Sequence, residues 1–230
     1  AFTQGGASTL ALLVGVPNSD FNNTGITTFA QPLNVNLLGL TPGGAPNASG
    51  QQLSGQLVDG SYLLTIDTAL PASVTGASGN VDGTVAIQGH PAGAAPIAGS
   101  RLPMVNVSRA FRAKGSGTAT ARRAVVDMAK CNACHFNLSL HGNNRTGDIT
   151  TCTICHNPEA TDGSRRPNFT TPGALGIDGK LEEGIDFKYM IHKIHGHGTG
   201  AEDGIVVYGF GGPVHGFRDV PYPMVKHDCQ

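Results

Sequence analysis

The chain has 230 residues, with fifteen Lys and Arg against sixteen Asp and Glu, five cysteines, thirty-three glycines and no tryptophan. That length suits one large or two modest domains. The balanced charge, with basic residues no denser than the single pairs Arg122-Arg123 and Arg165-Arg166, argues against a nucleic-acid binder. The longest apolar run, around Leu10 to Val16, is interrupted by Gly15 and ended by Pro17, too short to cross a bilayer.

Residues 1–118 are rich in Gly, Ser, Thr, Ala and Val, lack cysteine and contain one histidine, His90, which reads as a satisfied turn histidine. Short apolar runs alternate with polar residues at Leu33-Asn-Val35-Asn-Leu37, Tyr62-Leu-Leu-Thr-Ile66 and Val81-Asp-Gly-Thr-Val85-Ala-Ile87. Turn chemistry falls at Thr41-Pro42-Gly43-Gly44, Val58-Asp59-Gly60 and Val81-Asp82-Gly83. The pattern predicts an antiparallel β domain over 1–118, a sandwich or small barrel.

Composition changes near residue 118, and 119–230 read as a second, coil-rich unit with a few short helices. Residues 121–130 have helical propensity and run into Cys131, which places Cys131 and Cys134 at or just beyond a helix. A second helix is expected from Asp186 to His195, capped by Asp186, with Phe187, Met190, Ile191 and Ile194 as its apolar stripe. The Gly- and Pro-rich segments between them would count against a compact domain unless a large rigid apolar group supplies the core.

Such a group is indicated by Cys131-Asn-Ala-Cys134-His135 and Cys152-Thr-Ile-Cys155-His156. In each motif two thiols can form thioethers with the vinyl groups of one porphyrin while the adjacent histidine reaches its iron, which is c-type haem attachment. Cys229 stands where a third motif would begin, so at least two haems c are expected and a third is begun. On this reading the chain is a fragment, and no cysteine remains for a disulfide.

Nine histidines are enough to give each iron a second one. His141 follows His135 too closely to reach the opposite face of the same porphyrin, so it is expected on a neighbouring haem. His192 and His195 share a helix face and serve two haems, or one of them hydrogen-bonds a propionate or carbonyl instead. His215 is expected near the C-terminal motif, His227 is a weaker candidate, and His197 is expected to face solvent. The four methionines read as packing, and Arg145, Arg165, Lys188 and Lys193 as candidate propionate partners. Iron with histidine on both faces has no vacant position for substrate and suits electron transfer.

The haem half resembles the extracellular decahaem cytochromes of the MtrC and OmcA type. The likeness rests on the run from Arg122 to His135, on Leu140-His141-Gly-Asn-Asn-Arg145, and on Cys152-Thr-Ile-Cys-His-Asn-Pro158 with Thr161-Asp162. It continues through Ile185-Asp-Phe-Lys-Tyr-Met-Ile-His-Lys-Ile-His195-Gly196 and Val220-Pro-Tyr-Pro223 to Cys229. The chain departs from the family in holding two complete motifs, and in Arg218, where a further histidine is expected.

The resemblance implies an exported, cell-surface protein with a β domain before the haem domain and a wire of bis-histidine haems. His135 and His156 would be proximal ligands, with His141, His192, His195 and His215 as distal candidates. Partners would be other multihaem cytochromes, further haem domains of the same chain, and minerals, electrodes or soluble shuttles, with self-assembly open. The rivals are a reductase with an open iron, a structural zinc module on the four paired cysteines, and a thioredoxin-like dithiol, which lacks its α/β setting. Calcium near Glu182-Glu183 or Glu202-Asp203 has no recognised loop pattern.

Overall fold

The computed structural model describes residues 8–23, 26, 28–94, 99–196 and 205–217. The first half holds β1 (Thr9–Gly15), β2 (Leu33–Asn36), β3 (Gln51–Leu53), β4 (Leu64–Ile66), a single helical turn α1 (Ala72–Thr75), β5 (Val81–His90) and β6 (Val107–Lys114). Four of these strands form an antiparallel sheet in the order β2-β1-β5-β6, and β3 and β4 form a separate ribbon. The antiparallel β character is as expected, built as one four-stranded sheet plus a ribbon among the described residues. The unbroken apolar run of β1 becomes a central strand, with Leu13 opposite Ala86 on β5 and both fully buried. His90 ends β5, buried, with its Nδ1 3.4 Å from the Pro91 carbonyl oxygen.

The turn expected at Val81-Asp82-Gly83 lies instead inside β5, with a register shift between Val81 and Asp82. Gly83 is there for close approach. A Cβ on it would lie 2.6 Å from both Phe111 and Val16, so the side chains of neighbouring segments fill the space.

The second half contains α2 (Met128–His135), β7 (Ser139–Leu140), β8 (Arg145–Thr146), α3 (Ile149–Cys155), α4 (Pro167–Thr170), α5 (Phe187–Gly196), β9 (Val206–Tyr208) and β10 (Val214–Gly216). None of these helices is long and apolar enough to cross a membrane. α5 starts as the sequence indicates, with the Asp186 carboxylate accepting from the Tyr189 amide at 2.9 Å. The earlier helix does not span 121–130. It begins at Met128, where Asp127 accepts from the Ala129 amide at 2.9 Å, and both first-motif cysteines lie within it. The preceding residues run across the β half, where the Arg122 guanidinium stacks 4.8 Å from the Phe21 ring centroid and donates to the Ser19 carbonyl at 3.4 Å.

Where the second half lacks apolar core, an ionic knot organises it. Arg166 is fully buried, although a basic pair ordinarily suggests a solvated surface. Its Nε donates to both Asp162 oxygens at 2.9 and 2.8 Å, and its Nη1 and Nη2 reach Asp178 at 2.6 and 3.0 Å. Asp162 also accepts from the Glu183 and Tyr208 amides, tying three distant segments to one carboxylate. Burial opposes the Asp178 charge, but the Arg166 guanidinium outweighs it and holds that carboxyl below its ordinary range. Arg165, by contrast, lies exposed over the Phe210 ring.

Candidate haem-binding site

The second motif lies on α3, whose first turn is capped by Asp148, accepting from the Thr150 amide at 3.0 Å and the Thr151 hydroxyl at 2.8 Å. Thr151, Thr153 and Ile154 are buried, and Ile154 joins Leu13, Phe21 and Ala86 in one apolar cluster. The helix carrying Cys152 and Cys155 is therefore part of the β core. The approach is close: a Cβ on Gly15, the last residue of β1, would lie 3.1 Å from Ile154.

Carbonyls at the end of α3 lack intrahelical partners, and side chains of the β half supply them. The buried Asn23 amide donates to the Ile154 carbonyl at 3.0 Å and to Ala30 at 2.9 Å, while its own oxygen accepts from the Val16 amide at 3.0 Å. Gln31 reaches the Cys155 carbonyl at 3.4 Å, and Asn157 donates to Ala30 at 2.7 Å. Next in chain is His156, whose Nδ1 lies 2.8 Å from the Ile185 carbonyl oxygen. A carbonyl only accepts, so the proton sits on Nδ1 and Nε2 keeps its lone pair, the form a metal requires. Burial pushes the His156 pKa below its ordinary value, with the Ile185 bond in partial opposition.

His141 belongs to the turn between β7 and β8, where His141, Gly142 and Asn143 have φ of 54°, 65° and 69°. Left-handed backbone at a histidine is uncommon, and the surroundings hold it there. Thr146 exchanges two hydrogen bonds with Asn106, at 2.9 and 2.7 Å, and Gly89 donates to the Asn144 carbonyl at 3.0 Å. Asn143 donates to the Arg101 carbonyl at 2.6 Å, and Thr9 bonds the Asn144 side chain. So held, the His141 ring lies 5.9 Å from that of His156, centroid to centroid, at 34°. Desolvation, and then the Arg145 guanidinium, push His141 down to about 3. Both causes favour the neutral ring.

The first motif is more open. Residues of α2 pack without full burial, Cys134 and His135 are exposed, and Phe136, at φ 65°, is 96% exposed beside His135. The His135 ring lies 6.1 Å from that of His195, at 89°. His195 and His192 each present Nδ1 to the carbonyl four residues back, Ile191 at 2.8 Å and Lys188 at 2.7 Å, which makes Nε2 the basic nitrogen of both.

These pairs pass a geometric test. Two imidazoles binding one iron from opposite sides, each nitrogen about 2 Å from the metal, set their ring centroids on the order of 6 Å apart. The structure brings together His141 with His156 and His135 with His195, and leaves His192 and His215 outside both pairs. His215 lies on β10, exposed, its Nε2 against Gly209 and its charge within reach of His141. Cys229, His197 and His227 lie outside the described residues. The asparagines and Ile154 that hold the second motif carry no one-dimensional signal, since Asn in a β half reads as turn chemistry and Ile between two cysteines as filler.

Residues 123–230 match the family model described as "Outer membrane cytochrome MtrC/MtrF-like, domains II/IV". Over that segment the chain is similar to the MtrC and OmcA type of outer membrane cytochrome, the family its motifs resemble. No curated protein and no solved structure gives a match. The family implies c-type haems and electron transfer in general terms.

Proposed function

We propose that the chain carries haem c at Cys131, Cys134 and His135 and at Cys152, Cys155 and His156, and relays electrons between further haems and extracellular acceptors. The observation that carries this reading is the pairing of four histidines in two couples with ring centroids 5.9 and 6.1 Å apart. His195 is the distal ligand of the first site and His141 of the second, so the second is cross-ligated from just beyond the first motif. His192 and His215 serve neighbouring haems. The β unit is 1–118 and the haem-binding unit 119–230.

One-electron exchange at iron is the chemistry these groups supply when bound. The protein's part is attachment and orientation. The four cysteines bind through thioethers, the Ile185, Ile191 and Lys188 carbonyls fix histidine tautomers, and Ile154 and the sheet exclude water behind the second site. Acceptors are minerals, electrodes, soluble shuttles or partner cytochromes at the cell surface, where the family is placed.

Against zinc, among the described residues no three of His, Cys, Asp or Glu converge as a metal-binding group, whereas a structural zinc site takes four ligands. Against a reductase, each couple supplies two histidines, enough for both faces of one iron. Intact mass of the denatured, c-type-matured chain, with reduced spectra before and after carbon monoxide, tests the reading. Added mass of whole haem units and a low-spin spectrum unmoved by carbon monoxide are expected. A bare polypeptide mass sinks it, and a carbon monoxide shift shows an open iron.

A further inference from the structure

The carbonyl that sets the His156 tautomer is itself held by a short antiparallel ladder. After the second motif the chain turns, the Ala160 amide donating to the Asn157 carbonyl at 3.0 Å, and residues 183–187 lie alongside the turned segment. The Phe187 amide donates to the His156 carbonyl at 3.0 Å, the Ile185 amide to Ala160 at 2.9 Å and the Asp162 amide to Glu183 at 3.0 Å. Thr161 and Gly184 pair between the last two bonds. A strand residue turns its N–H and C=O to the same neighbour. The bond that ties Ile185 to Ala160 therefore also aims the Ile185 carbonyl at His156 Nδ1, 2.8 Å away.

The far end of this ladder is locked by the ionic knot. Asp162 Oδ1 accepts from the Glu183 amide at 2.8 Å, and both Asp162 oxygens accept from Arg166 Nε. Asp162 and Arg166 are 3% and 2% exposed, so water is not at hand to replace either bond. Asp178 belongs to the same knot but serves other groups, its oxygens accepting from Arg166 and from the Lys180 amide. One carboxylate of the knot thus holds the strand that faces His156, and the other holds only the knot.

We propose that Asp162 is a positioning residue for the second haem site, fixing the Ile185 carbonyl against His156 and so keeping the reduction potential of that haem low. This rests on the reading that Cys152, Cys155 and His156 hold one. An imidazole that donates Nδ1–H to a carbonyl is a stronger donor at Nε2. A stronger donor favours ferric over ferrous iron, so the bond lowers the potential and its loosening raises it. Asp162 reaches the ring through the ladder, six residues along the chain from it.

The test is a spectroelectrochemical titration of the full matured chain alongside Asp162→Asn, Asp162→Glu and Asp178→Asn, with intact mass recorded first and amide exchange followed by mass spectrometry. Asparagine offers one acceptor oxygen where the Glu183 and Tyr208 amides use two. Glutamate keeps the charge beside Arg166 but displaces both acceptors by a methylene. Asp178→Asn weakens the knot and leaves the Glu183 bond in place. The expected result is unchanged haem mass throughout, and lower melting temperatures in all three variants. In both Asp162 variants alone, one wave moves to higher potential and the Ile185 and Phe187 amides exchange faster. Should neither Asp162 variant retain the second haem, exchange in the unmodified chain decides. Glu183, Ile185 and Phe187 opening together upholds the role, and Ile185 and Phe187 exchanging while Glu183 stays protected overturns it. Unmoved or lowered waves, or an equal rise in Asp178→Asn, show a knot that only stabilises the fold and leave the haem reading standing. Absence of haem mass in the unmodified chain overturns the haem reading itself.

Discussion

At His156 a single carbonyl, that of Ile185, chooses the tautomer, and burial favours the neutral ring. His141 is pushed the same way, to about 3. Depressed histidine pKa values give the apoprotein stability that is fully present above about 6.5, the ordinary value, and lost as pH falls toward the folded value. Cys152 works at the other limb. Burial, then the Asp148 carboxylate, raise its thiol to about 11, so its contribution is present below the ordinary value of 9.0 and lost as pH rises. Melting temperature of the apoprotein should therefore peak between these limits, whereas in the haem-loaded chain, with those groups ligated or alkylated, both limbs should flatten. A flat apoprotein profile would contradict this. His141→Ala should keep both haem masses while opening one iron to carbon monoxide, and an unchanged spectrum would remove His141 from the ligand set. The cysteine motifs and their histidines are legible in the sequence because the chemistry needs fixed spacing. The pairing of His135 with His195, sixty residues on, is a fact of tertiary structure that spacing cannot carry.

Among elements, α5 was readable down to its Asp186 cap because an amphipathic stripe and a capping residue are local signals. Two others were not. Residues 121–127 have the propensity for helix but are drawn out to dock Arg122 on Phe21, a tertiary override. Asp82-Gly83 looks like a turn, yet Gly83 is glycine because Phe111 and Val16 occupy its side. The burial of Arg166 was equally hidden, since a dibasic pair gives no sign that one member points inward. Arg166→Met, which leaves Asp162 and Asp178 uncompensated, should cost about 3–5 kcal/mol, measurable by denaturant unfolding. A loss below ~1 kcal/mol would show that the knot is not structural. α3 depends on Ile154, and Ile154→Ala should cost about 2–5 kcal/mol. Because the residue joins the sheet core, the loss should appear in one transition shared by strand and haem signals. Separate transitions would show that the helix is only resting on the sheet.

Across the whole molecule, the boundary suggested near residue 118 by composition is crossed by the core itself, through Ile154, Asn23 and the Asn106 clamp on the His141 hairpin. The second proposed haem site is thus built on the β half, and the first proposed site projects from it on α2 and α5. Weakening the clamp with Asn106→Ala should loosen the second site alone, read as carbon monoxide binding by one haem of two. An equal effect on both would mean that the halves do not divide the labour in this way.

The burial of Ile154 between Cys152 and Cys155 bears on biosynthesis. A maturation enzyme must hold that short segment open to bring both thiols to the vinyl groups, and it cannot do so once the isoleucine is locked against Leu13 and Phe21. On the proposed reading, haem delivery to the second motif therefore has to come before the sheet closes. A chain that folds too soon would be trapped as a well-folded β domain with that motif unfilled.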